Sequence, residues 1–202
     1  MNGYKYLEEG KLVLDFDKYP QLLYGLGGIY QLKNAATILQ SIAFLQEQAY
    51  NITETNIRDG FANVTSLTGL RGRWEILRTS PKVICDTGHN VGGITYTAKQ
   101  ISEQSKNTLH IVFGMVNDKD INGVISLLPK NAKYYFTQPS GQRAMNVEDF
   151  EAIAATYNLK GEIFKTVHEA YNKALESASP NDTIYVGGST FVVADLLEYL
   201  GC

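Results

Sequence analysis

Val83-Ile84-Cys85-Asp86-Thr87-Gly88-His89-Asn90 is the stretch that decides how this chain is read. The apolar run Val83-Ile84-Cys85 has the character of a buried strand, and the residues behind it put a carboxylate, an imidazole and an amide where that strand ends. In open α/β sheets that edge is where ligands bind. A helix is predicted to follow from about Gly92. Two readings of the turn stand side by side. In one, Asp86 binds a ribose or a cation while His89 and the helix N-terminus address anionic oxygens. In the other, Asn90 caps the helix, Asp86 stabilises the turn and His89 packs.

Outward from this turn, strand-like runs alternate with amphipathic stretches. Trp74–Leu77 and Val83–Cys85 are followed by the helix from Gly92, Leu109–Phe113 by Ile121–Leu128, and Tyr134–Thr137 by Val147–Tyr157. Glu162–Lys165, a helix over about His168–Ser177, Thr183–Val186 and a helix over Phe191–Leu200 continue the rhythm. Strands alternating with helices through short connections make βαβ units, hence a mostly parallel sheet covered on both faces. The fold class expected is therefore α/β, a Rossmann-like, mostly parallel sheet of five or six strands flanked by helices. The first seventy residues read differently. Tyr4–Leu7 and Lys11–Phe16 suit a hairpin turning at Glu9-Gly10. Ala35, Ile38, Leu39, Ile42 and Leu45 give the stretch from Gln31 to about Ala49 one apolar helical face, expected to be buried. Thr53 opens a second helix as its N-cap. A hairpin and two helices make a poor domain alone, so this remnant is expected to join the α/β domain near Ser66–Gly72.

Composition narrows the function classes. Apolar residues make up 44% of the chain, enough for a packed core, and a formal charge of −3 without any Lys/Arg run leaves no basic face for nucleic acid. No apolar run approaches the ~20 residues of a membrane span. Neither nucleic acid nor a membrane is expected as a partner, and the chain is read as cytoplasmic. Cys85 and Cys202 form no disulfide framework and no metal spacing, and the acceptor-type triplets at Asn51, Asn63 and Asn181 are read as chance.

Other residues are weighed the same way. Arg73, in Gly72-Arg73-Trp74-Glu75, is either a phosphate clamp or a solvated charge. Gln31 and Asn34 lie one turn apart on one helix face, where Asn34 is either a ligand or a polar surface residue. Asp118-Lys119-Asp120 is a cleft loop or a plain N-cap. Arg143, in the loop Pro139-Ser140-Gly141-Gln142-Arg143, is an anion binder or a turn residue. His110 is expected to be a satisfied strand residue and His168 a surface one.

These segments together resemble the folylpolyglutamate synthase/dihydrofolate synthase enzymes of the Mur ligase superfamily. The resemblance rests on Gly28-x-Tyr30-Gln31-x-x-Asn34-Ala35-Ala36, Gly72-Arg73-Trp74-Glu75, Asp86-x-Gly88-His89-Asn90, Gly114 with Asp118-Lys119-Asp120, and Gly187-Gly188-Ser189. It implies an ATP-dependent ligase that phosphorylates a folate or dihydropteroate carboxylate and joins glutamate to it through an amide. By similarity, Asn34, Arg73 and Asp86 bind ATP, His89 and Ser189 bind glutamate, and Asp86 and His89 are the catalytic pair. Val91 stands where the family often has Pro, and Thr87-Gly88 where it has small residues. No Gly-x-x-x-x-Gly-Lys-Ser/Thr occurs, nor the family's magnesium ligands. The resemblance thus implies a C-terminal fragment. Residues 1–72 would end the central ATPase domain and residues 73–202 would form the glutamate-ligase domain. ATP and Mg²⁺ are the implied cofactors, with the metal ligands outside this chain. The fragment is expected to be inactive alone and to self-associate or disorder locally over residues 1–72, while the parent enzyme is expected to be a monomer. The five segments are expected to meet at one cleft. A peptidoglycan-precursor ligase, a nucleotide-binding oxidoreductase module and a non-catalytic interaction domain are the alternatives. Against the oxidoreductase, no Gly-x-Gly-x-x-Gly follows the first strand.

Overall fold

In the first part of the chain, side chains alternate across an antiparallel meander. β1 (Gly3–Leu7), β2 (Lys11–Asp15) and β3 (Leu22–Tyr24) pair in that order. Leu12, Leu14, Leu22 and Tyr24 point to one side and are buried, whereas Val13 and Leu23 between them are only half-buried. These positions belong to a computed structural model that describes residues 1–7, 9–117 and 120–202. It divides into two compact units, Met1–Glu75 and Ile76–Cys202.

Three helices complete the first unit: α1 (Gln31–Glu47), α2 (Glu54–Ala62) and α3 (Val64–Thr68). The expected N-cap of α2 is present as a reciprocal pair. The Asn56 N–H donates to Thr53 Oγ1 at 3.2 Å and the Thr53 N–H to Asn56 Oδ1 at 3.0 Å. Ile57 and Phe61 carry α2 onto the meander, where the Phe61 and Tyr24 rings meet at 4.9 Å. A Cβ on Gly25 would come within 2.6 Å of the Ala62 carbonyl oxygen, so glycine is what lets β3 approach α2.

The expected hairpin is present as β1 and β2, and Leu22–Tyr24 adds to it a third strand too short to show alternation. Two expectations for this unit are corrected. The apolar face of α1 is not buried. Ala35 is, but Leu39 and Ile42 are half-buried, and Ile38, Phe44 and Leu45 are exposed. A stripe at helical spacing establishes that a face is apolar; it does not supply the surface that covers it. Trp74 does not begin a strand. It is turned out of the following β4 (Glu75–Thr79) by a φ of +54°, is 1% exposed, and donates its indole N–H to Tyr6 Oη at 3.2 Å.

The second unit is built on a six-stranded sheet in the order β4-β5-β9-β6-β7-β8. Its strands are β4, β5 (Lys82–Asp86), β6 (Leu109–Phe113), β7 (Lys133–Thr137), β8 (Gly161–Phe164) and β9 (Thr183–Gly187). Neighbours from β5 to β8 run parallel. The helices are α4 (Val91–Gln104), α5 (Ile121–Ser126), α6 (Val147–Thr156), α7 (Val167–Ser177) and α8 (Thr190–Tyr199). On one face Val83, Cys85, Val112, Ile184 and Val186 pack against Ala170, Ala174, Val192 and Leu196 of α7 and α8. On the other, Phe113 and Phe136 meet Phe150 of α6, and Tyr185 lies beside Thr97 of α4, which α5 adjoins. This is the α/β architecture expected. No helix among the described residues is long and apolar enough to cross a membrane.

His110 is a buried strand residue, as anticipated, but it is only half satisfied: Nδ1 is 2.9 Å from Tyr135 Oη, whereas Nε2 stands 3.5 Å from Asp182 Oδ2 without a hydrogen bond. Asp182 also accepts the Ser179 and Thr108 N–H groups at 2.8 and 3.1 Å. Burial holds the imidazole below its ordinary value, with Asp182 pulling it back and Lys133 adding to the lowering. The folded unit therefore binds fewer protons here than the unfolded chain. Its stability is intact at neutral pH and drains away as the pH falls below about 6.5. Urea midpoints measured at about pH 7.5 and about pH 5.5 should show a loss on acidification that is smaller in His110→Phe. Identical losses in both proteins would refute this.

Candidate functional site

A sheet edge becomes a crevice where successive connections leave on opposite faces. β5, β6 and β7 advance across the sheet through α4, α5 and α6 on one face. β8 returns through α7 on the other face to place β9 between β5 and β6, and α8 leaves β9 on that same face. The loops leaving β9 and its neighbours β5 and β6 diverge at their carboxyl ends, which is the topological switch point of the sheet. Asp86-Thr87-Gly88-His89-Asn90 leaves β5 there, Gly187-Gly188-Ser189 leaves β9, and Gly114 leaves β6.

Asp86 and Gly187 are register partners, as are Phe113 and Gly187. The carboxylate of Asp86 is fully buried, and its Oδ1 accepts the Gly88 N–H at 2.7 Å. Beneath it, burial and then the Asp86 charge push the Tyr185 phenol well above its ordinary value, so it stays neutral. His89 is half-buried, with Nδ1 at 2.9 Å from the Thr87 carbonyl oxygen. With Nδ1–H donating to that carbonyl, Nε2 is the ring atom left to address a ligand. Asn90 caps α4 through the Gly93 N–H at 2.8 Å, so Val91 in place of Pro leaves the helix entry intact. The structural roles foreseen for Asn90 and Asp86 are real and coexist with a partly open imidazole.

On β9 the chain turns through Gly188 at φ +94°, and a Cβ there would lie 2.6 Å from the Gly114 carbonyl oxygen. Ser189 is 1% exposed, and its Oγ accepts the Phe191 N–H at 3.1 Å as N-cap of α8. Asp86, His89 and Ser189 thus stand on two adjacent loops of one edge.

Asn34 and Arg73 belong to the first unit, where both line a cavity of about 580 Å³ walled by Ile38, Ile42, Ile57 and Phe61. Asn34 Nδ2 donates to Gln31 Oε1 at 2.7 Å, as their one-turn spacing anticipated, and Tyr24 Oη approaches the same oxygen at 3.5 Å. Arg73 is presented by a clamped turn, in which Glu75 accepts from the Gly72 N–H at 2.7 Å and from Arg71 Nε at 2.6 Å. Among the described residues, no group of three or more His, Cys, Asp or Glu side chains could hold a metal ion. The described residues on their own therefore offer no fit for Mg²⁺.

Asp118 and Lys119 lie outside the described residues, while Asp120 caps α5 through the Gly123 N–H at 2.9 Å. His168 is exposed and stacked on Tyr199. Tyr185 escapes a reading of the sequence, where its only signal is a phenol inside an Ile-Tyr-Val run that ends on two glycines.

The family model described as Mur ligase, glutamate ligase domain, matches residues 72–190, and the chain belongs to that family. Among curated relatives, the dihydrofolate synthase/folylpolyglutamate synthase of Escherichia coli K12 is 32% identical over 169 residues, covering 83% of this chain. This chain spans 37% of that relative's length. E. coli FolC solved with DHPP and ADP superposes with a TM-score of 0.72 at 31% identity, covering 83% of this chain and 38% of that one. Mycobacterium tuberculosis folylpolyglutamate synthase solved with ADP shares the fold at a TM-score of 0.80 and 23% identity, covering 98% and 46%.

Proposed function

We propose that this chain supplies the glutamate side of an ATP-dependent ligase that joins glutamate to a folate or dihydropteroate carboxylate. In this reading residues 73–202 are the glutamate-ligase domain and residues 1–72 belong to the central ATPase domain. The observation that carries it is the pair of loops at the switch point, Asp86 to Asn90 and Gly187 to Ser189, within the segment that matches the glutamate-ligase family. The names and ligands of the E. coli relatives favour the folate branch over a peptidoglycan-precursor ligase.

A carboxylate is a poor electrophile. ATP supplies a phosphoryl group that moves to its oxygen as ADP leaves. The glutamate nitrogen then attacks the acyl carbon, the C–N bond forms as the C–O bond to phosphate breaks, and the amine gives up a proton. In this proposal His89 Nε2 and Ser189 hold a glutamate carboxylate so that the amine faces the acyl carbon. Asp86 and His89 act at the reacting end, and Asn34, Arg73 and Asp86 contact the nucleotide. The apolar walls of the first-unit cavity suit a base, with the Asn34 amide fixed by Gln31 to read its edge and the Arg73 guanidinium suited to phosphate oxygens. With no phosphate-cradling loop in its sequence and no metal cluster among its described residues, the 202-residue chain has little to stabilise phosphoryl transfer. Given ATP, glutamate and dihydropteroate, it is expected to form no amide product.

Titration of the isotope-labelled chain with L-glutamate tests the reading. Saturable amide shifts are expected at Gly88, His89, Gly188 and Ser189, weakened about tenfold or more in His89→Ala, since a charge-assisted hydrogen bond is worth about 1.5–3 kcal/mol. A parent chain without saturable shifts, or one that His89→Ala and Ser189→Ala leave unaffected, would overturn it.

A further inference from the structure

Tyr134, Tyr135 and Tyr185 bury their rings in the six-stranded sheet. The first two turn their hydroxyls to structural partners. Tyr134 Oη donates to the Pro129 carbonyl oxygen at 2.5 Å, in the segment before β7, and Tyr135 Oη lies 2.9 Å from His110 Nδ1. Tyr185 is placed differently. It stands two residues before Gly187 on β9, so the two positions share one face of the sheet. A Cβ on Gly187 would lie 2.7 Å from Tyr185 Oη, 2.8 Å from Tyr185 Cε1 and 2.8 Å from the Asp86 carbonyl oxygen. The phenol therefore runs along β9 toward the carboxyl ends of the strands and takes the room that a side chain at position 187 would need. Its hydroxyl and the Asp86 main chain both come within contact of that single point beneath the crevice.

That end of the ring is walled by the turn that carries Asp86. Thr97 of α4 lies beside the phenol, and a Cβ on Gly88 would come 3.7 Å from Thr97 Cγ2 and 2.9 Å from Asp86 Oδ1. Thr97, Asp86 and Tyr185 thus form one buried cluster. Thr97 Oγ1 stands 3.4 Å from the Gly93 and Ile94 carbonyl oxygens of its own helix. A hydroxyl is costly to bury without a polar partner, and phenylalanine at position 185 would carry the same ring without that cost. Burial and then the Asp86 charge keep the phenol protonated. It is therefore a donor beside a carboxylate, a group that only accepts and has room for several donors.

We infer that Tyr185 is a positioning residue whose hydroxyl fixes the orientation of the Asp86 carboxylate toward the crevice, an inference that rests on the reading of Asp86 as a nucleotide contact above. The Gly88 N–H fixes the place of Oδ1. A second donor from the strand beneath fixes the plane of the carboxylate about that oxygen. A ligand then meets a group already oriented, and binding does not have to restrict its rotation.

The test compares the 202-residue chain with its Tyr185→Phe variant, which keeps the ring and removes the oxygen. Three readouts are followed at neutral pH: the urea midpoint, the carboxyl-carbon resonance of Asp86, and the amide shifts induced by ATP. Tyr185→Phe should stay folded, move the Asp86 resonance and weaken the ATP response about fivefold, the scale of one neutral hydrogen bond. A hydroxyl with a purely structural role would change the urea midpoint alone, and that result would overturn the inference. So would a moved Asp86 resonance with an undiminished ATP response, or a weakened response with the resonance unmoved. If Tyr185→Phe does not fold, Asp86→Asn gives the reverse measurement: the Cζ resonance of Tyr185 should move when the charge is deleted, and an unmoved resonance counts against the contact. A parent that answers ATP together with a Tyr185→Phe that answers equally would remove this inference alone, whereas a parent that never answers ATP would remove the nucleotide reading of Asp86 as well.

Discussion

Replacing Gly188 with valine should unfold the C-terminal unit at urea concentrations that leave the parent intact, a loss of about 2–6 kcal/mol. Two costs add. A β-branched residue is strained at φ +94°, by about 1–3 kcal/mol. Its Cβ would also lie 2.6 Å from the Gly114 carbonyl oxygen and 2.7 Å from the Phe113 ring, contacts that backbone and buried aromatic cannot yield without repacking, for about 1–3 kcal/mol more. Gly141 separates the two. It sits at φ +100°, and a Cβ added there would meet nothing within 4 Å, so Gly141→Ala bears the backbone penalty alone and should cost only about 1–3 kcal/mol. If the two variants melted alike, the close packing of the loops after β9 and β6 would not be the constraint described. Because Gly188 sets the entry of Ser189 into α8, the glutamate response of any folded Gly188→Val should vanish as well.

Asp86 should divide stability from ligand binding when two substitutions are compared. Asp86→Ala removes the acceptor of the Gly88 N–H and leaves a polar group stranded at a buried strand end, for about 1–3 kcal/mol. Asp86→Asn keeps an oxygen in the same place and should preserve most of the turn while deleting the charge. If the carboxylate contacts the nucleotide, both variants should lose the amide shifts induced by ATP, which in the parent are expected near a dissociation constant of about 1 mM or weaker. An Asp86→Asn chain that answers ATP as the parent does would confine Asp86 to holding the turn. A parent that never answers ATP would do the same.

Much of the second unit is legible in the sequence because its signals are local. Val83-Ile84-Cys85 announces a buried strand through its own composition, and Asn146 with Glu148 and Asp149 announces α6 through the chemistry of one helical turn. The positions of Asp86, His89 and Ser189 at strand ends follow from the same local signals. What escapes the sequence depends on distant residues. Leu22-Leu23-Tyr24 pairs as β3 only because Leu12 and Leu14 lie opposite. Trp74 leaves the strand it is expected to begin because Tyr6 offers a hydroxyl to its indole. The stripe on α1 is legible as apolar, while its exposure depends on what the rest of the unit leaves uncovered. Arg143 and Phe191 are separated by 48 positions, so their contact has no signature in either segment alone. The order of strands is equally nonlocal, and so the crevice that brings the loops after β5 and β9 together can be expected in kind but not traced strand by strand.

That strand order has a consequence for how the chain is made. β9 occupies an interior slot, hydrogen-bonded on both sides to strands synthesised well before it. Until residues 183–187 leave the ribosome, β5 on one flank and the trio β6, β7 and β8 on the other have no common seam, and two unsatisfied rows of backbone groups wait in the open. The last strand in therefore acts as a keystone, so that a nascent chain stalled short of it would be a target for chaperones.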